Sequence, residues 1–316
     1  GDTMVLAWPL LHAGYPEISG GYGNASKGGL LPTDRGMDRD VGKRPPARLL
    51  LWVCNRFDYG AVGDPDWYNE VRGLASRPRV TLVSSTPFEW RYAQMIRQVN
   101  FPSPAVLRPI GLFEPNQPQP EDPVPKDIVK SATYFLLPKV NEAKLDLLGL
   151  LEERGVKVWT PGIWPTGMQS WGGPNAVKGF KGAIHIPYAP TTFALFEHAQ
   201  HGLVTFLPTI QLLLRLHAAR GLFFQATSSD SVTTGHQTPD LSEALLRTTE
   251  WYDPQNEACF VYFDSLDDLV EKLTRGVGVE EERRAKLKEW AERHTRTTKA
   301  RWSMIEKALF TEQSVE

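Results

Sequence analysis

The sequence has little that names a chemistry at sight. Two cysteines, Cys54 and Cys259, are too few for a disulfide framework, and their apolar flanks read as buried thiols. No apolar run approaches the ~18 residues of a membrane helix, and Met4 to Leu11 lacks the basic start and cleavage site of a signal peptide. Neither sign of charge is in excess. The formal net charge of −2 gives no basic field to draw nucleic acid or an anionic membrane. The G-x-G-x-x-G, Walker and G-x-S-x-G signatures are missing, and no repeat of roughly 20–50 residues marks a solenoid. Metal motifs are equally sparse. Asp38-Arg39-Asp40 and Asp64-Pro65-Asp66 match D-x-D, but neither follows an apolar strand and the second suits a helix cap. His198 and His201 share a helix face without a third ligand at metal spacing.

What is present is alternation. With 41% hydrophobic and 23% charged residues, the chain can bury a full core. Residues 14–29 hold six glycines and read as an irregular surface loop. Then "ARLLLWVCNRFD" (47–58) is a continuous apolar run of the kind a buried parallel strand needs. A helix over 64–75, a strand with its loop over 79–89, a helix over 90–99 and a short strand over 105–111 follow. Residues 114–126 contain five prolines and read as a semi-rigid linker. Beyond it, strands over 132–138, 156–160, 182–188 and 203–209 alternate with helices over 141–155, 191–202 and 210–221. A charged amphipathic helix carrying Trp290 and Trp302 fills 280–310. The pattern predicts an α/β protein of two Rossmann-like, doubly wound domains facing a cleft. These are residues 1–113 and 127–275, joined by 114–126 and followed by a C-terminal helix in 276–316.

One stretch concentrates the functional signal. "IPYAPTTFALFEHAQHGLVTFLPT" (186–209) runs from a strand through Pro190 into a helix opened by Thr191 and Thr192. Proline pre-sets the first helical turn, and the threonine hydroxyls lie beside its unpaired backbone N–H groups. A helix start at the carboxyl end of a parallel strand is where α/β proteins bind phosphates. Glu197 sits among Phe193, Leu195 and Phe196, where a carboxylate is costly without a partner. Read without context, the same residues make a capped core helix with a glutamate at its edge.

The order strand "VKVW", loop "TPGIW…GGPNAVKGF", strand "KGAIHIPY", helix "APTTFALFE", then "HAQHGLVTFLPT" resembles the second domain of GT-B glycosyltransferases. The resemblance covers roughly residues 130–275, and Gly202 falls five residues after the glutamate, as in the family's E-A-x-A-x-G run. It implies that Glu197 grips the donor ribose, with Pro190, Thr191, Thr192 and Tyr188 near the phosphates. It places Trp159, Thr160 and Gly162 at the nucleobase, where Trp159 or Trp164 either stacks on the base or belongs to the core. Lys139, after "YFLLP", and Arg56, after "LLLWVCN", are candidate diphosphate cations. Many retaining members carry a second glutamate eight positions earlier. Here that position is Ala189, so inversion is expected. An inverting enzyme needs a general base, for which the sequence offers Asp58 and Glu89 as strand-ending carboxylates, and His12 in the glycine-rich loop. "SKGGL" (26–30) is similar to the K-x-G-G-L loop of starch synthases but lacks one residue.

The expected activity is therefore metal-independent transfer from a UDP- or GDP-sugar to a glycan, protein or small-molecule hydroxyl, with no cofactor beyond that co-substrate. A nucleotide-sugar epimerase or hydrolase on the same scaffold is the alternative enzyme. A non-catalytic sugar-nucleotide or glycan-binding module is the alternative of another class. The compartment is open between the cytoplasm and, if an N-terminal anchor has been removed, the Golgi or secretory lumen. The Asn24-Ala25-Ser26 sequon tilts slightly to the latter.

Overall fold

A computed structural model describes residues 3–7, 48–53, 67–77, 80–96, 98–102, 105–110, 124–137, 140–162, 176–189, 192–222, 242–275 and 277–310. The chain is mixed α/β with two all-parallel sheets. It separates into two compact units, residues 1–108 with 298–316 and residues 109–297. Most of the proline-rich segment lies outside the described residues. Its end does not, and Val124 packs into the core of the second unit with Phe135, Val177 and Phe180.

The first unit holds β1 (Thr3–Ala7), β2 (Arg48–Val53), β3 (Val80–Ser84) and β4 (Ala105–Val106), in that spatial order. Leu50 pairs with Val5 on one side and Thr81 on the other. Helix α1 (Trp67–Ala75) connects β2 to β3, and α2 (Phe88–Ile96) connects β3 to β4. Of the strand expected over 47–58, Arg48–Val53 is strand, and residues 54–58 lie outside the described residues. Strand β1 was not expected, its sequence signal being the short run Met4-Val5-Leu6, and the glycine-rich loop read over 14–29 lies outside the described residues. Leu50, Val83 and Leu107 form a buried cluster against Trp52, Trp302 and Ile305.

The second unit carries β5 (Tyr134–Leu136), α3 (Val140–Lys144), α4 (Leu147–Glu153), β6 (Val158–Trp159), β7 (Ala183–Ile184), α5 (Phe193–Gln200), β8 (Thr205–Pro208) and α6 (Ile210–Arg220). Then come α7 (Glu243–Leu246), β9 (Phe260–Phe263), α8 (Leu266–Arg275) and the 34-residue α9 (Val277–Phe310), whose residues from Thr298 onward belong to the first unit. Its sheet runs β6-β5-β7-β8-β9. The chain steps from β5 outward to β6, then returns past β5 to build β7, β8 and β9 on the other side. The strand order therefore reverses between β5 and β7. Tyr134, Phe135, Leu136, Ala183, Ile184, Phe206 and Leu207 are all buried, as strands covered on both faces require.

Local signals set several ends. Thr209 caps α6 by accepting the Leu212 N–H at 3.3 Å, and Gly221 closes it with φ +59°. The helix expected over 141–155 divides because Asp146 adopts a left-handed conformation, φ +48°. Its carboxylate lies where a side chain at Gly149 would begin, 3.0 Å from an ideal Cβ.

Gly182 matters for packing. A Cβ there would fall 2.9 Å from the Phe206 ring and 3.0 Å from the Val204 carbonyl oxygen. Phe206 is buried and fixed edge-on to Tyr134, so neither neighbour yields easily. Gly182→Ala should therefore destabilise the second unit by about 1–3 kcal/mol. Denaturant unfolding checks it, with a midpoint lowered at unchanged slope as the expected result.

Candidate functional site

Parallel strands end with carbonyl and N–H groups that the ladder no longer satisfies. At the reversal point the ladder extends slightly past the strands, with Leu137 N–H on Ile184 O at 3.1 Å and His185 N–H on Phe206 O at 3.0 Å. Beyond that, α3 takes over. Asn141 Nδ2 donates to the carbonyls of Ile186 (3.3 Å) and Pro187 (3.0 Å). Glu142 Oε1 accepts the Ile186 N–H at 2.8 Å and lies 2.7 Å from His185 Nδ1. Asn141 and His185 are 0% exposed and Glu142 is 3% exposed. Two second atoms of this pair, Glu142 Oε2 and His185 Nε2, are buried with no hydrogen-bond partner among the described residues. Such atoms are rare in native proteins and often mark functional positions.

Aromatic rings enclose the pair. Trp251 lies 5.0 Å from the His185 ring, and its Nε1–H donates to Ala189 O at 2.6 Å. Tyr188, half-buried, stands edge-on to the same imidazole at 5.9 Å. Trp251 is itself anchored, because its carbonyl accepts the Tyr262 hydroxyl at 2.8 Å.

Helix α5 follows directly. Thr192 is its N-cap in an extended conformation, but the hydroxyl makes no capping bond. The apolar face holds Leu195, Phe196 and Ala199, all buried. Phe196 stacks 5.0 Å from His294 and 6.3 Å from Trp290 of α9. Burial pushes His198 down to about 3, with smaller contributions from His185 and His201, so it is neutral near pH 7. His201 is also lowered, by burial and then Lys178. Glu197, next to His198 in the chain, is half-buried, and burial raises its carboxyl above the usual range.

The residues expected from sequence fall unevenly. Tyr188 meets the Glu142–His185 pair. Trp159 is half-buried on β6, stacked on Phe180 at 5.7 Å and near Phe135 at 5.9 Å, so its ring is shared with the core. Thr160 Oγ donates to Gly162 O at 3.3 Å, and Gly162 adopts φ +117°. Glu89 does not end a strand. It sits in the first turn of α2, 3% exposed, after Thr86 Oγ1 accepts the Phe88 N–H. His12, Arg56, Asp58, Lys139, Pro190 and Thr191 lie outside the described residues. Asn141, Glu142, His185 and Trp251 were missed. The available signals were a histidine inside the apolar run "GAIHIPY" and an Asn-Glu pair just after "YFLLPKV".

Among the described residues no group of three or more His, Cys, Asp or Glu side chains is arranged to hold a metal ion, and no helix is long and apolar enough to cross a membrane. The chain matches no family model, no curated protein and no solved structure.

Glu197 gives a pH prediction whose sign is fixed. Its folded-state pKa is raised, so the penalty is absent below the unfolded value of about 4.5 and fully present above the folded one. Glu197→Gln should therefore raise the melting temperature at pH 7 and lose that advantage below about pH 4. Thermal scans across pH check it, and a uniform loss of stability would contradict it.

Proposed function

We propose that the chain is a metal-independent glycosyltransferase of GT-B type, binding a UDP- or GDP-sugar at the reversal point of the second sheet. The observation that carries this reading is Glu197, a half-buried carboxylate whose charge burial disfavours, and which a ligand's hydrogen-bond donors would stabilise. It stands on the helix that follows β7, one of the two strands between which the order reverses. Ligands of open parallel α/β sheets bind outside the carboxyl ends of such strands. The order β6-β5-β7-β8-β9 supports this reading as an open parallel sheet with one reversal point, and the strand–helix sequence around it is the one that resembles the GT-B donor domain. In this proposal Glu197 accepts the ribose hydroxyls, and the diphosphate lies near Thr192 and Tyr188. The first unit is a second Rossmann-like domain, which brings the acceptor across a cleft. The departing diphosphate is stabilised by fixed dipoles and cations rather than a metal.

Glu197→Ala tests it. Charge-assisted hydrogen bonds are worth roughly 1.5–3 kcal/mol, so calorimetric titration with UDP or GDP should show affinity reduced by about one to two orders of magnitude. A glutamate with only a structural role gives an unchanged dissociation constant in the folded variant, and that result refutes the ribose role.

A further inference from the structure

We propose that His185 is the proton acceptor of the transfer and that Glu142 is its positioning residue. This rests on the glycosyl-transfer reading and moves the base to the donor-binding unit, away from Asp58, Glu89 and His12. Glu142 Oε1 already accepts a backbone N–H from Ile186, so it acts as an acceptor toward Nδ1 as well, 2.7 Å away. The imidazole hydrogen is thereby placed on Nδ1, and Nε2 is left with its lone pair. A carboxylate that fixes the tautomer and steadies the imidazolium is the arrangement by which histidine takes a proton from a hydroxyl. Here Nε2 is buried and has no hydrogen-bond partner among the described residues.

The location agrees with the chemistry. His185 directly follows β7, and Glu142 lies just beyond β5, so the pair spans the strand reversal. The titratable groups described around the ring are Glu142 from α3, His198 from α5 and Tyr188 from its own loop. His198 is held neutral by burial, so it does not compete for the proton. An incoming hydroxyl must displace a neighbour to reach Nε2. Trp251 is 2% exposed and tied to Ala189, whereas Tyr188 is only half-buried.

The step balances as follows. The acceptor hydroxyl, or water in its place, gives its proton to Nε2 while its oxygen bonds to the anomeric carbon. The bond from that carbon to the diphosphate oxygen breaks, and the electron pair leaves with the nucleoside diphosphate. The imidazolium then releases its proton to solvent.

The test uses the full chain with UDP- and GDP-linked sugars and no added acceptor, reading nucleoside diphosphate released to water, alongside calorimetry with UDP and GDP. His185→Asn places an amide nitrogen where Nδ1 was, keeping the Glu142 bond while deleting Nε2. It should lower kcat roughly 10²–10⁴-fold with KM and nucleotide affinity preserved. Glu142→Gln keeps an oxygen for the Ile186 N–H and should lower kcat about ten- to a hundredfold with the same split. Retained turnover in His185→Asn overturns the proposal and makes the pair a structural tie. A wild-type chain that binds nucleoside diphosphate but releases none from any donor overturns the base role alone. No nucleotide binding at all overturns the glycosyl-transfer reading with it.

Discussion

The second unit depends on what happens where β7 stops. Ile184 to Pro187 are buried, so the last peptide groups of β7 need partners from within the protein. Pro187 has no N–H to satisfy, so only its carbonyl needs a partner there. Asn141 and Glu142, at the start of α3, meet these needs by binding Ile186 N–H and the carbonyls of Ile186 and Pro187. That solution fixes the loop from β5 against the loop from β7 at the one place where the strand order reverses.

Fixing those loops leaves polar groups in an apolar setting, and the surroundings show how they are contained. Trp251 seals one side of His185 and is held by Ala189 and Tyr262. Segment 250–256 is braced in turn, with Asn256 Nδ2 donating to Glu250 Oε2 at 2.6 Å and Tyr252 Oη donating to Pro208 O at the end of β8. Helix α5 is anchored through Phe196 to Trp290 and His294, which leaves Glu197 on a rigid support. Rigid support is what a binding or acid–base group requires, since a loosely held one loses its orientation.

Much of this was legible in the sequence, in proportion to how local the signal is. Thr209 and Gly221 mark the ends of α6, and the apolar run of β8 is continuous in the chain. The helix 141–155 was readable, but not its break, because Asp146 turns left-handed next to a glycine whose role only the packing reveals. Strands β1 and β9 were missed: a four- or five-residue run says little until its parallel neighbour is known. The same limit applies to the site. Glu197 stood out because its phenylalanine neighbours are adjacent in sequence. Glu142 and His185 are 43 residues apart, and only the sheet brings them together. Trp159 was readable as an aromatic of either role, and its contact with Phe180 was not.

The central claim is that a nucleotide binds at the carboxyl ends of β5 and β7. Amide hydrogen exchange of the intact chain, with and without saturating UDP or GDP, tests it most directly. The account predicts slowed exchange in His185–Tyr188 and along Phe193–Gln200, with little change in β9 or α8. A bound nucleotide that leaves those two segments unprotected while slowing exchange elsewhere would contradict it.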